Sequence, residues 1–410
     1  LIAAAAGLAY GVEPFATWFY VFAWFPTLIL ADAIHAWRAG RWFLLGRAAF
    51  AATLLAWSAP FWLLFEIVNL RLANWFYVFV PDARAPRWGG TLLSFATVLP
   101  AILVSERLLD AFGVARGLRS RPFVVTEGLR IALQCAGVAS LVLALLAPRF
   151  FFPLVWGALW LLADPFVHRR DPERSLLGDL ERGRPGRIAR LLLGGLAIGL
   201  VWETFNAYAR GKWIYTVPGF EDAKLFEMPV LGFLGFPFFA LEGFAVWQVL
   251  VLSGLAVPRE GPARPASRAA RVAAGGLAVA FSALALLAMD RGTVASTTPR
   301  LADLPSAPQV VAHSDWDVFS LARARPEDVA PLSGISITDA ERWVEAARLA
   351  TLRGLGTENV ARLHAAGVAT VAELAASDPE ELAARLAAAG APIPRARLRV
   401  WVQAAREATR

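Results

Sequence analysis

The stretch AAFAATLLAWSAPFWLLFEIVNL, residues 48–70, decides how this chain is read. It carries no charge before Glu66, and about 20 apolar residues rising 1.5 Å each span a hydrocarbon core of about 30 Å. Near its end stand Glu66 and Asn69, three residues apart and so on one helical face. Trp75-x-Tyr77 follows. The same order returns about 137 positions later as Glu203, Asn206 and Trp213-x-Tyr215.

Working outward, more polar landmarks pair off. Trp24, Asp32 and His35 match Trp156, Asp164 and His168, and Pro100 with Glu106 matches Pro237 with Glu242. A fixed period with conserved polar order reads as a duplicated unit. Apolar runs near 15–37, 48–70, 90–109, 129–147, 150–168, 188–207, 228–252 and 272–289 give four spans to each copy. An even number per copy makes the repeats parallel, related by an axis along the membrane normal. The expected fold is all-α: a polytopic membrane protein of about eight transmembrane helices, built as two parallel four-helix repeats, plus a small soluble helical C-terminal domain. The boundaries read as repeat 1 at 1–148, repeat 2 at 149–290, a linker rich in Pro, Ser, Thr and Ala at 291–315, and the tail at 316–410.

Composition agrees. The chain is 57% hydrophobic and 18% charged, against about 25% charged in soluble proteins. Its 16 Trp residues often stand at run ends, as interfacial belts do. The net charge is +7, but residues 290–410 hold 14 Arg against 15 Asp and Glu, so the excess of about +8 lies in the apolar part. It reads as a topology signal and as contact with the lipid bilayer. Loops after the odd-numbered spans hold about 19 Arg, among them Arg38, Arg41, Arg107, Arg116, Arg182 and Arg259, against about 7 Arg and Lys in the opposite loops. The positive-inside rule then places the Arg-rich side of a multi-pass inner-membrane protein in the cytoplasm, and the tail on the outer, periplasmic side. Position 1 is Leu, and 1–11 reads as a signal remnant or the end of a preceding span. The single cysteine, Cys135, precludes an internal disulfide.

Carboxylates within spans are expensive, so they face a bundle interior and find partners. Glu66, Asn69, Trp75, Tyr77 and Glu106, with Glu203, Asn206, Trp213, Tyr215 and Glu242, are therefore expected to line two related polar pockets, or one central pocket opening outward. The alternative is that they cap helices, pair with loop arginines and lock the bundle. Asp32, Asp164, His35 and His168 fall at the inner boundary of their spans. The second outer loop adds Glu221, Asp222, Lys224 and Glu227. No Cys/His cluster, phosphate loop or nucleophile elbow occurs, so neither a metal nor a cofactor is expected.

The residues Trp202-Glu203, Gly211-Lys212-Trp213-Ile214-Tyr215, Phe226-Glu227-Met228-Pro229 and Pro237-Phe238 resemble the membrane domain of heterodimer-type lycopene cyclases and related carotenoid-modifying proteins. The resemblance implies duplicated membrane units and acid chemistry on an apolar, isoprenoid-like small molecule, with Glu203, Glu227 or Glu66 as the catalytic acid. The family's paired acidic residues after the Pro fall here on Val230, Leu231 and Gly232.

The tail repeats itself as well: Val318-Phe319-Ser320-Leu321-Ala322 with Pro326 matches Val371-Ala372-Glu373-Leu374-Ala375 with Pro379, and Trp343 matches Trp401. Between them Gly354-Leu355-Gly356-Thr357 opens a helix. It resembles the turn of a tandem helix-hairpin-helix module, whose backbone N–H groups hold a phosphate in nucleic-acid-binding relatives. A near-neutral tail placed outside argues against nucleic acid and for a protein partner through 316–410. Three functions stay open: a membrane scaffold or binding protein with a polar pocket and an interacting tail, an intramembrane enzyme on an apolar substrate, and a small-solute transporter.

Overall fold

A computed structural model describes residues 1–217, 223–305 and 316–410. Glu221, Asp222 and the stretch 306–315 of the expected linker lie outside the described residues. The chain is mainly helical and divides into two compact units: Leu1–Asn74, Ala85–Ala209 and Val217–Arg291 form the first, while Trp75–Arg84, Arg210–Thr216 and Gly292–Arg410 form the second.

In chain order the elements of the apolar part are α1 (Ile2–Ala9), α2 (Phe19–Ala39), α3 (Ala48–Leu72), β1 (Trp75–Val78), α4 (Arg84–Phe95), α5 (Val98–Ala111), α6 (Glu127–Leu146), α7 (Pro148–Phe151), α8 (Val155–Arg170), α9 (Leu176–Glu181), α10 (Gly186–Tyr208), β2 (Lys212–Tyr215), β3 (Lys224–Leu225), β4 (Met228–Pro229), α11 (Gly235–Leu252) and α12 (Arg268–Gly292). Among the described residues eight helical segments are long and apolar enough to cross a membrane, counting α4 with α5, α7 with α8, and Val230–Leu252 as one each.

In the first unit α2 and α3 pack on α5, α8 and α10 pack on α11, and α10 and α11 also meet α5. The run expected as one span over 90–109 is broken at Ala96–Thr97. A break leaves backbone groups without helical partners, and Ser58 takes up two of them: its hydroxyl accepts from Leu99 N–H at 3.0 Å and donates to the Phe95 carbonyl at 2.6 Å. A second break falls in α8, where Trp156 and Gly157 leave helical geometry, Gly157 at φ +115°.

Strands correct the all-α expectation. Trp75-x-Tyr77 and Trp213-x-Tyr215, expected in outer loops, lie in β1 and β2, which pair antiparallel in the second unit in the register Trp75–Tyr215 and Tyr77–Trp213. Aromatic and β-branched residues at successive positions suit a pleated ribbon. Residues 293–298, within the stretch read as linker, run alongside β1: Tyr77 N–H donates to Thr293 O at 2.8 Å and Ala295 N–H returns to Tyr77 O at 2.8 Å.

The tail contributes α13 (Val318–Arg323), α14 (Pro326–Ser333), α15 (Ile337–Thr351), α16 (Thr357–Ala365), α17 (Val371–Ala376), α18 (Pro379–Ala388) and α19 (Arg395–Ala408). Trp343 and Trp401 are buried in one core with Leu321, Leu363 and Leu386. Side-chain caps start several of these helices, including a full capping box at Thr370 and Glu373.

Candidate functional site

Each paired carboxylate–amide is fully buried: Glu66, Asn69, Glu203 and Asn206. Glu66 and Asn69 each have a partner close by in sequence. Trp62 Nε1 donates to Glu66 Oε1 at 2.8 Å, one helical turn away. Asn69 Oδ1 accepts the Asn74 N–H at 2.9 Å, satisfying the chain where it leaves α3. Beside Glu203, the Tyr20 hydroxyl donates to the Trp202 carbonyl at 3.0 Å. Aromatic rings surround these groups. Trp202 lies 5.3 Å from Trp24 and 6.4 Å from Trp62 between ring centres. Phe65 stacks on Trp156 at 5.5 Å, and Phe239 touches Phe61, Trp62 and Trp156.

Glu106 and Glu242, matched in sequence, have different partners. Glu106 Oε1 takes Arg190 Nε at 2.7 Å, a buried ion pair between α5 and α10. Glu242 Oε1 accepts the Leu159 N–H at 2.9 Å, where α8 resumes after its break. A carboxylate at the fresh N-terminus of a helical segment meets unpaired N–H groups and the positive end of the dipole. Its Oε2 has no hydrogen-bond partner among the described residues. Glu227 is buried between the short strands β3 and β4. Trp75 is buried, while Tyr77, Trp213 and Tyr215 are half-buried on the ribbon.

Asp32 and Asp164, placed by sequence at span ends, are buried and cap the segments that follow their helices. Asp32 accepts the N–H groups of Phe43, Leu44 and Leu45 at 2.7, 3.0 and 2.8 Å. Asp164 accepts the Ser175 hydroxyl and the N–H groups of Leu176 and Leu177 at 2.9, 2.9 and 2.7 Å. The donors stand 11, 12 and 13 residues downstream in both cases. The neighbouring histidines differ. His35 Nδ1 lies 3.1 Å from Arg41 O, whereas His168 Nε2 lies 3.0 Å from Glu181 Oε2. Glu181 also accepts the Val125 N–H at 3.0 Å, and that bond, then the one to His168, holds its carboxyl below the ordinary range.

The Gly354–Thr357 turn sits in the second unit against the ribbon. Gly354 (φ +73°) abuts the Val78 side chain, and its carbonyl accepts the Ser296 hydroxyl at 2.6 Å. Two of the turn's own donors are taken: Leu355 N–H goes to Leu352 O at 2.9 Å and Gly356 N–H to Ala350 O at 2.9 Å. No group of three or more His, Cys, Asp or Glu able to hold a metal occurs among the described residues.

What sequence reading missed is the convergence of arginines. Arg47 Nη1 donates to Pro258 O at 2.8 Å and Arg259 Nη2 to Trp42 O at 2.7 Å, joining the segment after α2 to the segment after α11. Arg259 lines one cavity with Arg38, Arg41, Arg107 and Arg116; in the sequence these show only as a charge bias, and nothing in their spacing indicates that they converge.

A family model described as a domain of unknown function, DUF4332, matches residues 318–407. No curated protein and no solved structure matches the chain.

Proposed function

We propose that the chain is an integral membrane protein built from two parallel four-helix copies, and that it serves as a scaffold presenting its tail to a protein partner on the outer side. The observation that carries this reading is the pairing of β1 with β2. One strand follows α3 and the other follows α10, and together with residues 293–298 they make the surface on which the Gly354 turn rests. Ring-on-ring packing around Trp62, Trp202 and Phe239 supports a filled interior over a hydrated path, which disfavours transport. The helix-hairpin-helix likeness is retained as a structural module. Two of its N–H groups, on Leu355 and Gly356, are engaged within the tail, which supports recognition of protein over nucleic acid.

Topology is tested with single cysteines in a Cys135→Ser chain. A membrane-impermeant maleimide applied to intact cells labels Ala376→Cys in the tail and spares Ala263→Cys in the Arg-rich loop. Labelling of the loop alone sinks the orientation. The scaffold role is tested by photo-crosslinking from the tail: adducts formed by the native chain disappear with Val78→Arg. Adducts that persist unchanged in that variant sink it.

A second reading rests on Glu242, a buried carboxyl beside a helix break with one oxygen lacking a hydrogen bond among the described residues. It fits an acid acting on an apolar isoprenoid-like substrate. Conversion of an added polyene by membranes holding the native chain, abolished by Glu242→Gln, would favour it over the scaffold.

A further inference from the structure

At one end of the first unit the segments after α2, α5 and α11 enclose a cavity of about 340 Å³. Five arginines line it: Arg38, Arg41, Arg107, Arg116 and Arg259. Only Asp110 and Glu260 oppose them among its lining residues. Those two carboxylates are already committed, Glu260 to Arg41 at 2.9 Å and Asp110 to Arg116 at 3.2 Å. Arg107 Nε lies 3.5 Å from Glu106 Oε2, but Glu106 makes its closer bond to Arg190 at 2.7 Å.

Arg38, Arg107 and Arg259 are left without a carboxylate among the lining residues, the last two at the floor. Arg107 and Arg259 both lie over the Phe43 ring, 5.7 and 5.9 Å from its centre. The Arg259 Nε is buried and has no hydrogen-bond partner among the described residues. Burial, then the charges of Arg41 and Arg47, push the Arg259 guanidinium below its ordinary range, with Glu260 and Asp32 opposing. A like-charged cluster that includes a buried, unused donor is electrostatically costly until an anion enters. Planar guanidinium groups match the oxygens of a phosphate in a bidentate manner.

We propose that this cavity binds a phosphate group, held by Arg107 and Arg259 at its floor and by Arg38 and Arg41 at its mouth. Two sources share that chemistry, a lipid headgroup and a free phosphate. Trp37, Trp42 and Phe112, next in sequence to lining residues, expose 79%, 41% and 50% of their surfaces. Exposed aromatic surface adjoining the lining residues in sequence suits a phosphate carried on a hydrocarbon chain. The site lies wholly within the first unit and does not depend on what the tail binds.

The test uses the full chain in a neutral detergent at constant ionic strength. Binding is read from the unfolding temperature as dioleoyl phosphatidic acid, dioleoylglycerol or inorganic phosphate is added. Phosphatidic acid raises the unfolding temperature saturably and dioleoylglycerol does not. Arg107→Gln with Arg259→Gln weakens the apparent affinity at least tenfold. Glu260→Gln, which frees Arg41, tightens it severalfold and serves as the second variant should the double substitution fail to fold. A response to phosphatidic acid alone identifies the lipid headgroup as the source. An equal response to inorganic phosphate, lost in the same variants, identifies a free phosphate. No response to either, or a response that both sets of variants leave unchanged, overturns the proposal.

Discussion

Tyr77 faces Trp213 across the β1–β2 pair, so two Trp-x-Tyr tripeptides from distant parts of the chain meet head to tail. Behind them Phe76, Val78 and Ile214 are buried together, with Val400 of the tail packed against them. The tail's order should therefore depend on this small apolar patch.

Gly354→Ala tests that dependence against a built-in control. Gly354 and Gly367 share a left-handed φ, +73° and +78°, but a Cβ on Gly354 would overlap Val78 while one on Gly367 meets nothing within 4 Å. Gly367→Ala should cost about 1 kcal/mol from backbone strain alone. Gly354→Ala should cost about 1–3 kcal/mol more from overpacking. Hydrogen exchange of residues 318–407 should rise with the second substitution and barely change with the first.

Asp32 holds three donors of the loop that follows its helix, and Asp164 holds the Ser175 hydroxyl and the first two N–H groups of α9. Removing either acceptor leaves buried N–H groups unsatisfied, at about 1–3 kcal/mol each. Asp32→Ala and Asp164→Ala should each lower the unfolding temperature, and the double variant should show nearly additive losses because the two caps share no partner.

Ser58→Ala removes one hydroxyl that serves both sides of the break between α4 and α5. We expect a loss of about 2 kcal/mol or more, since a carbonyl and an N–H lose their partner together. Ser58→Thr should restore most of it. Denaturant unfolding of the purified chain distinguishes the two.

Glu181 gives a pH-dependent term. Its folded carboxyl is held below the ordinary 4.5 by the Val125 N–H and His168. Stability from this group is thus fully present above pH 4.5 and fades as pH falls through its lowered value. The gap in unfolding temperature between the native chain and Glu181→Gln should close as pH falls below about 4.5. A gap that persists unchanged into stronger acid would exclude this role.

The helices were legible because the signal for them is local. An apolar run such as 48–70 announces its own length, and α3 occupies Ala48–Leu72. The breaks were not, because what makes them tolerable is remote: Ser58 stands on a different helix from the Phe95 and Leu99 groups it satisfies, and Glu242 lies 83 positions from Leu159. The ribbon escaped notice for the same reason. Four-residue strands carry no periodicity of their own, and Trp75 finds Tyr215 only once the intervening helices have packed. Within the expected site, burial of Glu66 and Glu203 was readable from their cost in an apolar run. The identity of Trp62 as the Glu66 partner was readable only as a one-turn spacing among several candidates.

The ribbon also imposes an order on biosynthesis. A ribosome releases β1 early, some 135 residues before β2, and the Gly354 turn later still. The tail cannot seat until both strands have been made and have met. Its seating on the ribbon is then the last packing step, open only to a chain in which β1 and β2 have already paired.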